Sequence, residues 1–283
     1  MKNIINAIMN LVNNPITKLT LYYQGRNRAN NAGDALEEYI KDLFANTFEM
    51  DETQRLEQIS KTFSYLGNSS NPPDAMIFGG DAIEVKKIET KNATLALNSS
   101  YPKQKLFHNS KMISKGCMNA ENGEWVEKDM IYAVGIVNSK DVLCHLCMVY
   151  GLDYCAESEV YSRIKSTIKN GVEAIEGVDF TDSKELGHIN KVDPLGVTYM
   201  RVRGMWGIEN PWKVFSYVYE RDYNKSFDFM CIINEDKWNS FSNTNDLLSL
   251  AQKIEALVIS DVRVKNPDNP AKLKNAKLIQ FSI

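Results

Sequence analysis

A glycine break at Gly79-Gly80, followed by Asp81-Ala82-Ile83-Glu84-Val85-Lys86-Lys87-Ile88, constrains this chain more than any other stretch. The β-branched residues Ile83, Val85 and Ile88 predict a strand over Ala82 to Ile88. Alternate side chains of a strand share a face, so Glu84 and Lys86 point one way and Ile83 and Val85 the other. Such a strand fits a cleft at the edge of a core. Just upstream, Asn71-Pro72-Pro73-Asp74 puts a second carboxylate after a proline turn. If Asp74 to Phe78 pairs as the preceding strand of a hairpin, Asp74 reaches the same cleft. Two carboxylates at one point hold a hard cation such as Mg²⁺ through oxygen. A lysine beside them can orient or polarise a water and offset charge on a phosphate. These are the parts of a metal-dependent phosphodiesterase. Alternating Glu and Lys on a strand is more often a solvated face, so the triplet carries weight only together with the Pro-Asp turn and the hairpin spacing.

The remaining composition narrows the class. With 283 residues, 43% hydrophobic and 24% charged, the chain can bury a sizeable core as a soluble globular protein. A formal net charge of -3 argues against a coating or architectural nucleic-acid binder, yet leaves room for a local basic patch. No apolar run approaches the length of a membrane span. The N-terminal MKNIINAIMNLVNN is an interrupted amphipathic stretch rather than a signal peptide, so a cytoplasmic location is expected. Five cysteines, an odd number, suit a reduced interior better than a disulfide framework.

Around the central strand, Gly33 to Phe44 reads as an amphipathic helix with Glu37 on the border of its apolar stripe, able to point under Glu84 or out to solvent. Thr53 to Leu66 is expected to form a second helix closed by Gly67. Met130 to Val137 and Val142 to Tyr150 form a hairpin of core strands, and Glu157 to Ile175 a helix with Val160, Ile164, Ile168 and Val172 inward. Val214 to Tyr219 and Phe227 to Ile233 read as strands, Asp246 to Val258 as a helix, and the end from Asp261 as a basic segment that lines DNA or is a solvated tail.

Three stretches carry DNA-contacting residue types. Arg26, Arg28 and Asn30 lie in a polar loop, equally an ordinary surface loop. Ser99, Ser100 and Lys103 follow a strand expected over Ala93 to Leu97 and suit phosphate contacts. Thr198 to Arg203 alternates, which puts Arg201 and Arg203 on one face, and a glycine-flanked Trp206 follows. Two such arginines can bond guanine O6 and N7 bidentately, although a half-exposed edge strand looks the same. No linker or repeat divides the chain, so one domain over 1–283 is expected, with the acidic hairpin in a core at about 33–150 and elaborations that carry the candidate DNA-contacting arginines at about 151–283. The fold class is α/β, a central mixed sheet flanked by helices.

The motif Pro73-Asp74 with Glu84-Val85-Lys86 resembles that of the PD-(D/E)xK nucleases. The longer segments GDALEEYIKDLFA, TFSYLGNSSNPPDAMI, DAIEVKKIE, LNSSYPK and RVRGMWGIENPW resemble the NgoPII type of restriction endonuclease along nearly the whole chain. The resemblance implies a restriction-endonuclease-like fold and Mg²⁺-dependent cleavage of double-stranded DNA at GGCC, leaving 5′-phosphate and 3′-hydroxyl ends. It implies Asp74 and Glu84 as metal ligands, with the Val85 carbonyl as a third. It gives Lys86 the attacking water and Glu37 a metal or water. A homodimer and a cognate DNA methyltransferase are further implications. Two readings stand beside it: a structure-specific repair or recombination nuclease of the same fold, and a non-catalytic DNA-binding protein.

Overall fold

The computed structural model describes residues 2–24, 31–68, 71–183 and 185–283. Its helices are α1 (Ile4–Asn13), α2 (Leu19–Gln24), α3 (Ala32–Ala45), α4 (Glu52–Thr62), α5 (Lys115–Asn119), α6 (Gly151–Tyr154), α7 (Ser158–Glu173), α8 (Pro211–Val214), α9 (Glu235–Asn239) and α10 (Thr244–Ala251). Its strands are β1 (Phe63–Asn68), β2 (Asn71–Ile77), β3 (Ala82–Ile88), β4 (Leu95–Asn98), β5 (Lys105–Phe107), β6 (Glu127–Val137), β7 (Leu143–Tyr150), β8 (Asp179–Thr181), β9 (Gly187–Asn190), β10 (Met200–Val202), β11 (Trp206–Ile208), β12 (Asp228–Asn234), β13 (Leu257–Asn266) and β14 (Asn269–Ser282).

The central sheet runs β1-β2-β3-β6-β7-β12-β14-β13, with β5 on β6. It is mixed: β3 pairs parallel with β6 and β7 parallel with β12, while the other neighbours are antiparallel. Both faces are covered. Ile83, Val85, Ile131 and Ala133 face one apolar cluster with Leu36, Ile40 and Leu43 of α3 and Ile4, Ile8 and Leu11 of α1. Ala82 and Ile88 face the other, with Met130, Tyr132, Val134 and Phe215. The helices on the first face start where short polar side chains satisfy their free N–H groups. Asn3 caps α1 by accepting from the Ile5 and Asn6 amides at 3.0 and 3.3 Å. Asn31 caps α3 through the Gly33 and Asp34 amides at 2.8 and 3.0 Å. Two smaller sheets, β10-β9-β8 and β11-β4, lie apart from the central one. Among the described residues, no helix is long and apolar enough to cross a membrane.

Several local expectations give way to tertiary pairing. The helix expected to Leu66 stops at Thr62, and the chain continues into β1, where Phe63 pairs with Ile77 and Leu66 with Ala75. Gly67 is therefore not a helix stop. A Cβ there would lie 2.3 Å from the Pro73 carbonyl oxygen, so only glycine lets β1 pass β2, a strand that takes in Pro72-Pro73-Asp74 where the sequence suggests a turn. The strand expected over Val214 to Tyr219 is instead α8 followed by turns. The Asn210 side chain accepts from the Lys213 amide at 3.0 Å and Pro211 occupies the first turn, a start signal that outweighs the β-branched run. The helix α10 ends at Ala251, because Leu257 onward is drawn into β13. The basic end is neither tail nor loop: β13 and β14 form a long antiparallel hairpin that completes the central sheet. In α7 no residue is buried, and Val160, Ile164 and Ile168 are 38, 41 and 47% exposed. That helix lies outside the central sheet, beside the small β8–β10 sheet, which is too narrow to cover its apolar stripe.

Candidate active site

The site is built where β2 and β3 part. These strands pair as Met76 with Ala82 and Ala75 with Ile83. One further step would set Asp74 against Glu84, and the ladder stops there. The Val85 amide donates instead to the Asp74 carboxylate, at 2.6 Å to Oδ2. Alternation along β3 puts Glu84 and Lys86 on the face opposite Ile83 and Val85, as the sequence requires. Lys86 Nζ lies 2.6 Å from Glu84 Oε1. Glu84 is 8% exposed, and its Oε2 is buried with no hydrogen-bond partner among the described residues. The hairpin thus brings both carboxylates and the lysine together.

The electrostatics of the pair are strained. Burial, and then the charge of Glu84, lift the Asp74 carboxyl to about 7, against the opposing pull of Lys86 and the Val85 amide. Burial pulls Lys86 down, but Glu84, Asp74 and Glu37 outweigh it and hold the ammonium above its ordinary value. Glu37 on α3 is half-buried. Burial raises its carboxyl, and its charge acts on Asp74 and Lys86 from the side.

This donor set suits a hard divalent cation: two converging carboxylates, one oxygen buried without a partner, and a repulsion that a positive charge would relieve. Among the described residues no group of three or more His, Cys, Asp or Glu is drawn together for a metal. A cation at Asp74 and Glu84 would therefore complete its shell from main-chain oxygen or water.

The expected DNA-contacting residues fall into different places. Arg26, Arg28 and Asn30 lie outside the described residues. Lys103 is not a surface side chain. It is 6% exposed, its ammonium donates to the Tyr101 carbonyl at 2.9 Å and to the Ser100 hydroxyl, and burial lowers it to about 8. It faces Glu84 from behind, across a cavity of about 10 Å³ that Tyr132 also lines. Arg201 and Arg203 do share a face, and both are held by one carboxylate. Glu185 takes Arg201 Nε at 3.0 Å and Arg203 Nε at 2.9 Å, and accepts from the Ser99 hydroxyl at 3.2 Å. The arginine side chains remain about half exposed, at 52 and 55%. Trp206 pairs with Asn98 across β11 and β4 and packs edge-on against Tyr101 and Tyr161. Sequence reasoning missed Glu185. Its partners come from two stretches of chain, around Ser99 and around Arg201 to Arg203, and a single glutamate in a polar segment carries no local signal.

A mixed α/β sheet flanked by helices, with paired carboxylates and a lysine at a strand fork, has the chemistry of a phosphodiester hydrolase. The sequence profile of the NgoPII restriction endonuclease family matches residues 2–265. The chain is 59% identical over 281 residues to the type II restriction enzyme NgoPII of Neisseria gonorrhoeae, an alignment covering 99% of this chain and 100% of that one. No solved structure matches. The chain belongs to the NgoPII restriction endonuclease family and is a site-specific deoxyribonuclease. That sets aside the repair-nuclease and non-catalytic readings.

Proposed function

We propose that this restriction endonuclease is a Mg²⁺-dependent enzyme of the PD-(D/E)xK type, with Asp74, Glu84 and Lys86 as its catalytic residues. The observation that carries this reading is the fork of β2 and β3, which holds two carboxylates face to face beside an ammonium instead of continuing the ladder. Asp74 and Glu84 would hold the cation, with the Val85 carbonyl as a third oxygen. Bound there, Mg²⁺ supplies Lewis-acid stabilisation of charge developing on the phosphate. The protein's own groups do the rest. Lys86 Nζ, drawn toward Glu84, donates to the attacking water and orients its lone pair toward phosphorus. Glu37, with its carboxyl raised by burial, accepts a proton of a water at the edge of the cleft. The Val85 amide keeps the Asp74 side chain turned into the cleft.

The substrate is double-stranded DNA, and the recognition site is GGCC, cleaved to 5′-phosphate and 3′-hydroxyl ends. Membership of the NgoPII family along nearly the whole chain supports this reading of the site. Arg201 and Arg203 read guanines. Ser99, Ser100, Lys103 and Trp206, together with Arg26, Arg28 and Asn30, shape the DNA-facing side. A twofold palindrome is met by a homodimer in which each subunit cuts one strand. The enzyme works in the cytoplasm beside a cognate DNA methyltransferase that protects the host. One domain carries both tasks, with chemistry at about 33–150 and recognition at about 151–283, the latter also supplying β12 to β14 of the sheet.

The test is digestion of one plasmid with Mg²⁺ and with chelator, followed by sequencing of the fragment ends. Discrete fragments ending within GGCC, produced only with the cation, are expected. Cation-independent cutting, or ends at another sequence, would overturn the corresponding part.

A further inference from the structure

Most of the lysines of one cavity near the candidate active site, Lys105, Lys111, Lys165 and Lys169, carry none of the roles above. The cavity is an open groove of about 460 Å³ between α7 and the segment that follows β4. Lys103, Lys105, Lys111, Lys165 and Lys169 line it, against only two carboxylates, Asp182 and Glu185. Lys103 is buried and Lys105 is paired with Glu127, but Arg201 and Arg203 stand on Glu185. Lys111, Lys165, Lys169 and the two arginines therefore face Asp182 and Glu185, five positive groups against two negative, in a chain whose formal net charge is -3. Positive charge is therefore concentrated here, where a polyanion would be drawn.

The α7 wall is regular. Ser158, Ser162, Lys165, Ser166 and Lys169 fall at helical spacing on one side and place three hydroxyls and two ammonium groups on that wall, Lys169 lying 3.0 Å from Asp182. Both groups are typical donors to phosphate oxygen. The lysines crowd one another. Burial lowers Lys165, and Lys111 and Lys169 lower it further, so a bound anion would relieve repulsion among them. The groove is also continuous with the chemistry. Tyr101 and Lys103 line it and line the small cavity behind Glu84 as well.

We propose that this groove is a phosphodiester-backbone track, in which lysines of α7 and Lys111 hold DNA phosphates beside the cleavage site without reading bases. The inference rests on the family's action on DNA and is independent of the GGCC assignment. Phosphate contacts fix register and add salt-dependent affinity, and they carry no sequence information directly.

The experiment uses the full chain, without divalent cation, and two fluorescent duplexes, one carrying GGCC and one lacking it. Binding is followed by anisotropy from about 50 to 200 mM salt, the range over which phosphate contacts dominate the change in affinity. In Lys165→Ala/Lys169→Ala the slope of log K against log salt should fall by about two, roughly one per lysine, on both duplexes alike. The ratio of affinities between the duplexes should stay constant, and Lys165→Arg/Lys169→Arg should restore the slope. Because α7 buries no residue, the melting temperature should not move. An unchanged slope in a wild-type background that binds DNA would overturn the groove alone. So would an altered sedimentation profile with an unchanged slope, which would assign the lysines to a protein contact. A wild-type chain that bound neither duplex would overturn the groove together with the activity beneath it.

Discussion

Helix α3 sends carboxylates in two directions, and they meet opposite fates. Toward α4, Asp42 is fully buried and fully satisfied. It accepts from the Tyr23 hydroxyl at 2.8 Å, from the Thr47 hydroxyl at 2.5 Å and from Arg55 Nε at 2.7 Å. The other end of Arg55 bonds Glu38, which Lys41 also holds at 2.7 Å. Toward β3, the charge of Glu37 acts on Asp74 and Lys86, beside Glu84. Here the carboxylates repel, one buried oxygen has no hydrogen-bond partner among the described residues, and the Asp74 carboxyl is lifted to about 7. The first cluster sets two acids against two cations, Arg55 and Lys41, and the second sets three acids against Lys86. Charge balance and saturation therefore separate them together. A carboxylate with both oxygens engaged by donors has little capacity left for a ligand and serves the architecture. A set that folds with unmet demand is where a cation or substrate can bind with gain.

Substitutions at the two clusters should therefore act with different signs. Asp74→Asn keeps an acceptor for the Val85 amide and removes one of two repelling charges. Cleavage should fall by ~10³-fold or more, on the order of 4 kcal/mol of transition-state stabilisation, with a melting temperature equal to or above wild type. Lys86→Ala should lose cleavage to a similar extent. Retained cutting in either, measured on linear DNA under single-turnover conditions, would remove the site from the reaction. At the satisfied cluster, Asp42→Ala strands Arg55 and should cost on the order of 3–5 kcal/mol in chemical denaturation, while whatever protein stays folded cuts normally. If Asp42→Ala proved mild and Asp74→Asn severely destabilising, the contrast between the clusters would collapse.

Smaller effects sharpen the boundary between chemistry and recognition. Arg201→Ala or Arg203→Ala should weaken cognate binding by ~1–3 kcal/mol and non-cognate binding much less. Equal losses on both DNAs would make them phosphate contacts. A purely structural titration provides the control. His145 packs against Trp212 with ring centroids 4.2 Å apart and planes tilted by 55°, and its Nε2 lies 3.1 Å from the Tyr219 hydroxyl, which itself donates to Asp228. Burial first, and then Arg221, push its imidazole down to about 2, so it is neutral in the folded protein. The unfolded chain protonates it below ~6.5, so this contribution to stability is complete above that pH and lost as pH falls. From pH 6.5 to 5.5 the loss should be about 1 kcal/mol, and His145→Gln should remove that component of the slope. Identical pH slopes for the two proteins would show that His145 is not buried neutral.

Much of the site could be read without coordinates, because its signals are local. The glycine break and the alternation of Ile83 and Val85 with Glu84 and Lys86 give a hairpin with Glu84 and Lys86 on one face and Asp74 within reach, although Pro72-Pro73-Asp74 is part of β2 and not a turn. The helix bearing Glu37 followed from one apolar stripe. Errors fell where local propensity competes with distant partners. Phe63 to Asn68 reads equally well as the end of a helix until β2 offers its edge, and the lysine-rich C-terminal stretch reads as a tail until β13 and β14 find each other beside β12. The stripe of α7 promised burial that the small sheet beside it cannot give.

The sequence by itself determined the acidic hairpin, and with it a cleft suited to a divalent cation, since strand period and turn chemistry act over a few residues. Only the tertiary structure decided which charges are answered. Asp42 meets Arg55, Arg201 and Arg203 meet Glu185, and Lys103 turns inward behind Glu84, while Glu84 itself keeps an oxygen free of hydrogen-bond partners. Those pairings join residues far apart in the chain, and burial sets their energies. No property of a side chain's immediate neighbours in sequence encodes whether packing will supply it a partner.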